Sequence, residues 1–144
     1  MRASFESIYA ALFALGEKVP GIRTASRRLV SAQDVPVESS PALYQVQIQQ
    51  KAEYQGTTPT AWDLHAMWIV VVAQTDESQP MTPALNPILD AITKTFAPAP
   101  PFGKQTLGGL VEYAAIEGSI DISEGVMGGR TVAFIPIHII VPGF

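Results

Sequence analysis

The chain contains no cysteine in 144 residues. Disulfides, thiolate metal sites and cysteine nucleophiles are therefore excluded, and folding in a reducing cytoplasm is the expectation. Charge is also scarce. Charged residues make up 15% of the chain, where an ordinary soluble domain carries about a quarter. A small domain has much surface to cover, so this shortage predicts that part of the exterior meets protein, and self-association is the simplest form of that contact. Positive charge is in the minority, with 9 Lys and Arg against 13 Asp and Glu and a net charge of -4. The long-range attraction to phosphates is missing, and no specific nucleic-acid binding is expected. Long hydrophobic runs are absent too. The stretch from Met1 to Leu15 is interrupted by Glu6, Ser7 and Tyr9, and the most apolar segments, Met67 to Ala73 and Ala133 to Val141, have strand length and β-branched content. No membrane association follows.

What is present fits one α+β domain spanning residues 1–144, with 47% apolar residues to build a core. Phe5, Ile8, Leu12 and Leu15 recur at helical spacing, with Ser4 as a cap and Gly16 and Pro20 as stops, which predicts a helix from Ser4 to Leu15. Ile22 to Val30 reads as a short strand carrying Arg23, Arg27 and Arg28, followed by a loop from Gln33 to Pro41. Ala42 to Tyr54 alternates with period two, Tyr44, Val46 and Ile48 against Gln45, Gln47 and Gln49, as a half-buried strand does. A turn through Gly56 to Pro59 leads to a second strand, Ala61 to Gln74, and so to an antiparallel hairpin. Trp62, Leu64, Trp68, Val70 and Val72 share one face of that strand. On the other face Asp63 and His65 give way to Met67, Ile69 and Val71, so its later half needs cover on both sides.

Thr82 as cap, Pro83 in the first turn and a stripe of Leu85, Ile88, Leu89, Ile92 and Phe96 predict a second helix. Pro87 is placed within its first turn, where a missing amide costs nothing. The Pro-rich segment from Ala97 to Gly103 predicts an extended connector. Val111 to Ser123 alternates Ile116, Ile120 and Ile122 against Tyr113, Glu117, Ser119 and Asp121, with Gly118 as a bulge, and Arg130 to Val141 returns as a strand apolar on both faces. Pro136 in that strand requires an edge, a bulge or a neighbouring subunit. The expected architecture is a mixed or antiparallel sheet of about four to five strands with two helices packed on it.

The search for chemistry yields no catalytic, cofactor-binding or metal assignment. Glu117 and Asp121 lie four residues apart on one strand, about 13 Å between Cα atoms at ~3.3 Å per residue, too far for a glycosidase pair. Asp63 and His65 project from one strand face and offer two metal ligands, with His138 a third. A metal site needs three or four convergent ligands, and nothing in the sequence brings those strands together, so the reading is polar positions near a strand end. Neither histidine has a serine partner, since Glu117, Gly118, Ser119 and Ile120 do not form a nucleophile elbow. Gly125, Gly128 and Gly129 read as a hairpin turn and not a phosphate loop, and Gly108 and Gly109 as the approach to a strand. Arg23, Arg27 and Arg28 form the one basic cluster, read either as plain exposed surface charge or as guanidiniums suited to a carboxylate across a subunit boundary.

In order along the chain, the early helix precedes Ser26, Arg27 and Arg28, and Pro41, Ala42 and Leu43 open the first long strand. After the proline-flanked helix, Leu107, Gly108, Gly109, Leu110 and Val111 lead to Ile116, Glu117 and Gly118. The chain closes on Ile139, Ile140, Val141 and Pro142. This succession resembles the tail-terminator, or tail-completion, proteins of long-tailed bacteriophages. The resemblance implies a non-enzymatic virion protein, a homo-oligomeric ring of usually six subunits on the head-proximal end of the tail, assembled in the host cytoplasm. It would cap the tail-tube protein, stop its polymerisation and present a surface for head-completion or neck proteins. Of the matching positions, Arg27 and Arg28 are nominated as subunit or tube contacts. A neck adaptor on the portal side is the neighbouring alternative, and a small-molecule-binding α+β enzyme with Asp63, His65 and His138 near a pocket mouth is the reading from another class.

Overall fold

The computed structural model describes residues 2–76, 78–97, 103–125 and 129–144. Its first element is helix α1, Phe5–Glu17. The Ser4 Oγ accepts the Ser7 amide at 3.1 Å and satisfies one of the otherwise orphaned first-turn donors. Ile8, Tyr9 and Leu12 are buried on one side. Gly16 does not stop the helix where the pattern suggested. It lies inside the last turn because its bare Cα lets α1 close on the sheet: a Cβ there would sit 3.1 Å from Leu43 Cδ2 and 3.3 Å from Trp68 Cζ2.

The strands are Thr24–Ser26 (β1), Ala42–Gln55 (β2), Thr58–Ala73 (β3), Tyr113–Ile116 (β4), Asp121–Ser123 (β5) and Arg130–Pro142 (β6), with helix α2, Thr82–Phe96, between β3 and β4. They form one six-stranded sheet in the order β1-β2-β3-β6-β4, with β5 also beside β6. β1 runs parallel to β2 and every other pairing is antiparallel, so the sheet is mixed and the fold is α+β. The expected four to five strands become six because one predicted strand is divided. The Ile22 to Val30 strand contracts to β1, and Val111 to Ser123 splits into β4 and β5. The hairpin turn is tighter than predicted, Gly56 and Thr57 alone, and Pro59 falls in the part of β3 that extends past β6, where no ladder amide is required of it.

The split has a backbone cause. Pro136 stands opposite Met67 in the β3–β6 ladder, and its carbonyl instead accepts the Glu117 amide at 3.2 Å on the other side. Lacking an N–H, Pro136 has no donor to offer a continuous neighbour, and the chain breaks there between β4 and β5, bending at Gly118 with φ of 107°. The predicted bulge at Gly118 and the special position of Pro136 are thus two sides of one irregularity.

Helices α1 and α2 lie on one face of the sheet. Leu64, Trp68, Val70, Ala133, Ile135, Ile137 and Ile139 are buried there with Ile8, Leu12, Leu85, Ile88 and Ile92. Two details of α2 differ from the expectation. Met81, not Thr82, occupies the cap position, and it makes no side-chain cap bond. Pro87 is the sixth helical residue and not part of the first turn, so it does forgo a bond to the Pro83 carbonyl; both prolines are exposed, where water can replace that bond.

The opposite, outer face carries a second cluster, Val35, Ala42, Tyr44, Ile69, Val71 and Val132. The cover demanded for Ile69 and Val71 comes from the segment holding two 3-10 turns, Ala32–Asp34 and Val37–Ser39, and not from a helix. β2 is consequently buried on both sides at its start, contrary to the half-buried strand that alternation suggested. Gln45 faces the helices, where its Oε1 accepts the Trp68 indole N–H at 3.0 Å and its Nε2 donates to the Tyr9 carbonyl at 2.9 Å. Past Val46 the register shifts at Ile48, so even-numbered residues pass from the outer face to the helix face. The segments 98–102 and 126–128, which include most of the predicted connector and part of the glycine turn, lie outside the described residues.

Gln45 satisfies both a buried indole and a helix carbonyl, so Gln45→Leu should destabilise the protein by about 1–3 kcal/mol, the cost of stranding buried polar groups. Urea denaturation measures it; an unchanged midpoint contradicts the bridging role.

Candidate functional site

Pro136 also fixes which residues of β6 look toward β3. Since a residue without an N–H sits in a non-hydrogen-bonded pair with Met67, the pair two residues on, His65 and His138, is also non-hydrogen-bonded, the type with Cα atoms only about 4.5 Å apart. The two imidazoles stack, with ring centroids 4.7 Å apart and planes 17° from parallel. Asp63 lies two residues before His65 on the same face, and its Oδ1 is hydrogen-bonded to His138 Nε2. From the other flank, Glu117 follows β4 and its Oε2 is hydrogen-bonded to His138 Nδ1. Tyr113 presents its ring edge-on to His138 at 6.3 Å.

The premise that these strands do not converge is therefore overturned. The ligand atoms of Asp63, His65 and His138 all lie within 4.8 Å of one another. His65 and His138 line a cleft of about 300 Å³ with Ile48, Met67, Glu117, Gly118 and Pro136. The His138 side chain is 11% exposed, Asp63 19% and Glu117 62%. Glu117 was weighed in the sequence only against Asp121. The chain sends them to different places along β6, Glu117 after β4 to His138 and Asp121 on β5 to a position opposite Phe134. The sequence signal for Glu117 is the coincidence of Gly118 and Pro136, which brings the end of β4 against β6.

Burial by itself depresses the His138 imidazole, but its hydrogen bonds to Asp63 and then to Glu117, reinforced by both carboxylate charges, outweigh that and hold its pKa above the ordinary 6.5. Protonated, the ring donates from both nitrogens, one to each carboxylate. The cluster is thus a proton site gripped from two sides, with a second imidazole stacked on it.

The basic cluster is dispersed into local contacts. Arg27 donates to both Glu6 carboxylate oxygens, at 2.7 and 3.0 Å, and to Gln47 at 3.2 Å, so the carboxylate it was expected to seek on another subunit is found on α1 of its own chain. That hydrogen-bonded pair lowers the Glu6 pKa. Arg23 donates to the Glu38 carbonyl at 3.0 Å. Arg28 is exposed on the turn after β1, where its amide donates to Ser26 Oγ. Gly108 and Gly109 lie in the turn that precedes β4. Among the described residues no helix is long and apolar enough to cross a membrane. Comparison with protein-family models and with curated proteins finds no match to this chain.

An NMR titration should place the His138 pKa above 6.5, and Asp63→Asn should lower it. Because the folded value is the raised one, these contacts contribute stability in full below the unfolded pKa and lose it as pH rises through the folded pKa. The melting temperature should therefore fall over that window in the native chain and change less in the variant; a His138 pKa at or below 6.5 contradicts the arrangement.

Proposed function

We propose that this chain is a ring-forming assembly protein of the tail-terminator kind, which caps a phage tail tube and offers the neck proteins a new surface. The observation that carries the reading is the apolar outer face of the sheet. The segment 29–39 covers only one end of it. Leu29 and Val30, 50% and 37% exposed, edge an apolar groove of about 240 Å³ with Ile69, Val71, Val132 and Phe134, and Ile48, 56% exposed, continues the apolar surface beside Met67. Together with a chain only 15% charged, such a surface favours burial against protein.

The edge of the sheet adds to this. β1 pairs with β2 only from Ala42 to Tyr44, and among the described residues no strand lies along the edge of β2 that faces away from β3 between Gln45 and Gln55. An unpaired strand edge is a template for another chain. Ring closure needs a heterologous contact, two different patches on each subunit, and a sheet edge plus a separate apolar face supply two such patches. A terminator must also match the last tube ring on one side and differ from it on the other. That task uses shape and charge complementarity and no bond chemistry. Of the two nominated arginines, Arg28 is the better placed to meet a partner, since Arg27 is already engaged by Glu6.

Native mass spectrometry of the purified chain should show a closed oligomer, a hexamer, either alone or on addition of tail tubes. Ile48→Asp and Leu29→Asp, both at exposed positions, should abolish assembly while leaving the melting temperature nearly unchanged. A strict monomer that ignores tail tubes at high concentration overturns the proposal, and capture by portal-side proteins in place of the tube would make it a neck adaptor.

A further inference from the structure

The cluster on the outer face has a use that ring assembly does not require. We propose that Asp63, His65 and His138 form a binding site for a transition-metal dication of the zinc class, with Glu117 orienting His138. The donor set comes from two adjacent antiparallel strands paired along 13 residue pairs with no register shift, whereas the β2–β3 ladder is interrupted twice. Its three ligand atoms lie within 4.8 Å of one another. Zinc–nitrogen and zinc–oxygen bonds of about 2.0–2.2 Å put two ligands on one ion roughly 3–3.5 Å apart. Rotamer adjustments of about an ångström therefore bring the three donors onto one ion.

The surroundings match those of metal-ligating imidazoles. Such a histidine nearly always gives its second ring N–H to a carboxylate or carbonyl, which fixes the tautomer and strengthens the ligand. Glu117 does this at His138 Nδ1, leaving Nε2 directed to the Asp63 side of the cluster, which is where the ion would sit. Metal binding displaces the proton that Nε2 otherwise shares with Asp63, and that proton leaves to solvent through the cleft. Two imidazoles and one carboxylate favour zinc, cobalt, nickel or copper over magnesium or calcium, which prefer all-oxygen shells. Three protein ligands leave at least one coordination position open to water or a small anion.

The chain makes the test clean, because it has two histidines and no cysteine. Untagged, chelator-stripped full-length protein is titrated with Zn²⁺ by calorimetry and with Co²⁺ by visible absorption. One equivalent should bind, with micromolar or tighter affinity, and Co²⁺ should show the intense visible bands of a four- or five-coordinate ion. Asp63→Asn and His65→Ala, each at a partly exposed position, should weaken binding at least tenfold while circular dichroism and melting show an intact fold. Glu117→Gln should keep the 1:1 stoichiometry and weaken affinity about 10–100-fold, as loss of a histidine-orienting carboxylate does. The proposal is overturned if neither metal binds saturably, or if affinity survives Asp63→Asn and His65→Ala. Its fate is independent of the ring: a hexamer without metal, or a metal-binding monomer, separates the two.

Discussion

The central constraint is the pairing of β3 with β6, in which Pro136 offers no amide and so can face Met67 only in a non-hydrogen-bonded pair. Everything on the outer face follows from that parity. It sets His138 directly across from His65, leaves the Pro136 carbonyl free for Glu117, and ends β4 where Glu117 reaches the imidazole. A slip of one residue would carry Ile137 and Ile139, now buried against the helices, onto the outer face and send His138 into an apolar core. The burial of these isoleucines and the convergence of the polar cluster are therefore consequences of the same register.

The two faces divide the work. Helices α1 and α2 seal one, with Gly16 permitting close approach to Trp68 and Gln45 answering the buried indole. The other is sealed at one end by Val35 and its neighbours and left open toward Ile48, Met67 and the histidines. An open face with an apolar half and an ionisable half suits contact with protein on the one side and with a small ligand or ion on the other. The ring proposal uses the first and the metal proposal the second, and neither needs the other.

Much of the architecture was legible from periodicity. Both helices, the long hairpin and the division of Ile116 from Tyr113 and Glu117 could be read because local alternation reports which face is buried; Ile122, expected on the face of Ile116, is 45% exposed in the short strand β5. What could not be read was set by pairing between distant segments. Gln45 looked like a solvent residue because alternation cannot register a strand buried on both sides, and the Ile48 shift reverses the faces without any glycine to announce it. The meeting of Asp63, His65 and His138 depends on a register between residues 63–65 and 138, which local pattern does not encode. The Arg27 contact with Glu6 was hidden for the same reason: a carboxylate was expected, but not one from the first helix.

The β3–β6 register is most directly tested by nuclear Overhauser spectroscopy on the α-protons. A non-hydrogen-bonded pair brings its two α-protons into close contact, so the account predicts strong cross-peaks between His65 and His138 and between Met67 and Pro136. Cross-peaks from the His65 α-proton to Ile137 or Ile139 in place of His138 would contradict it, and with it the site built on that register.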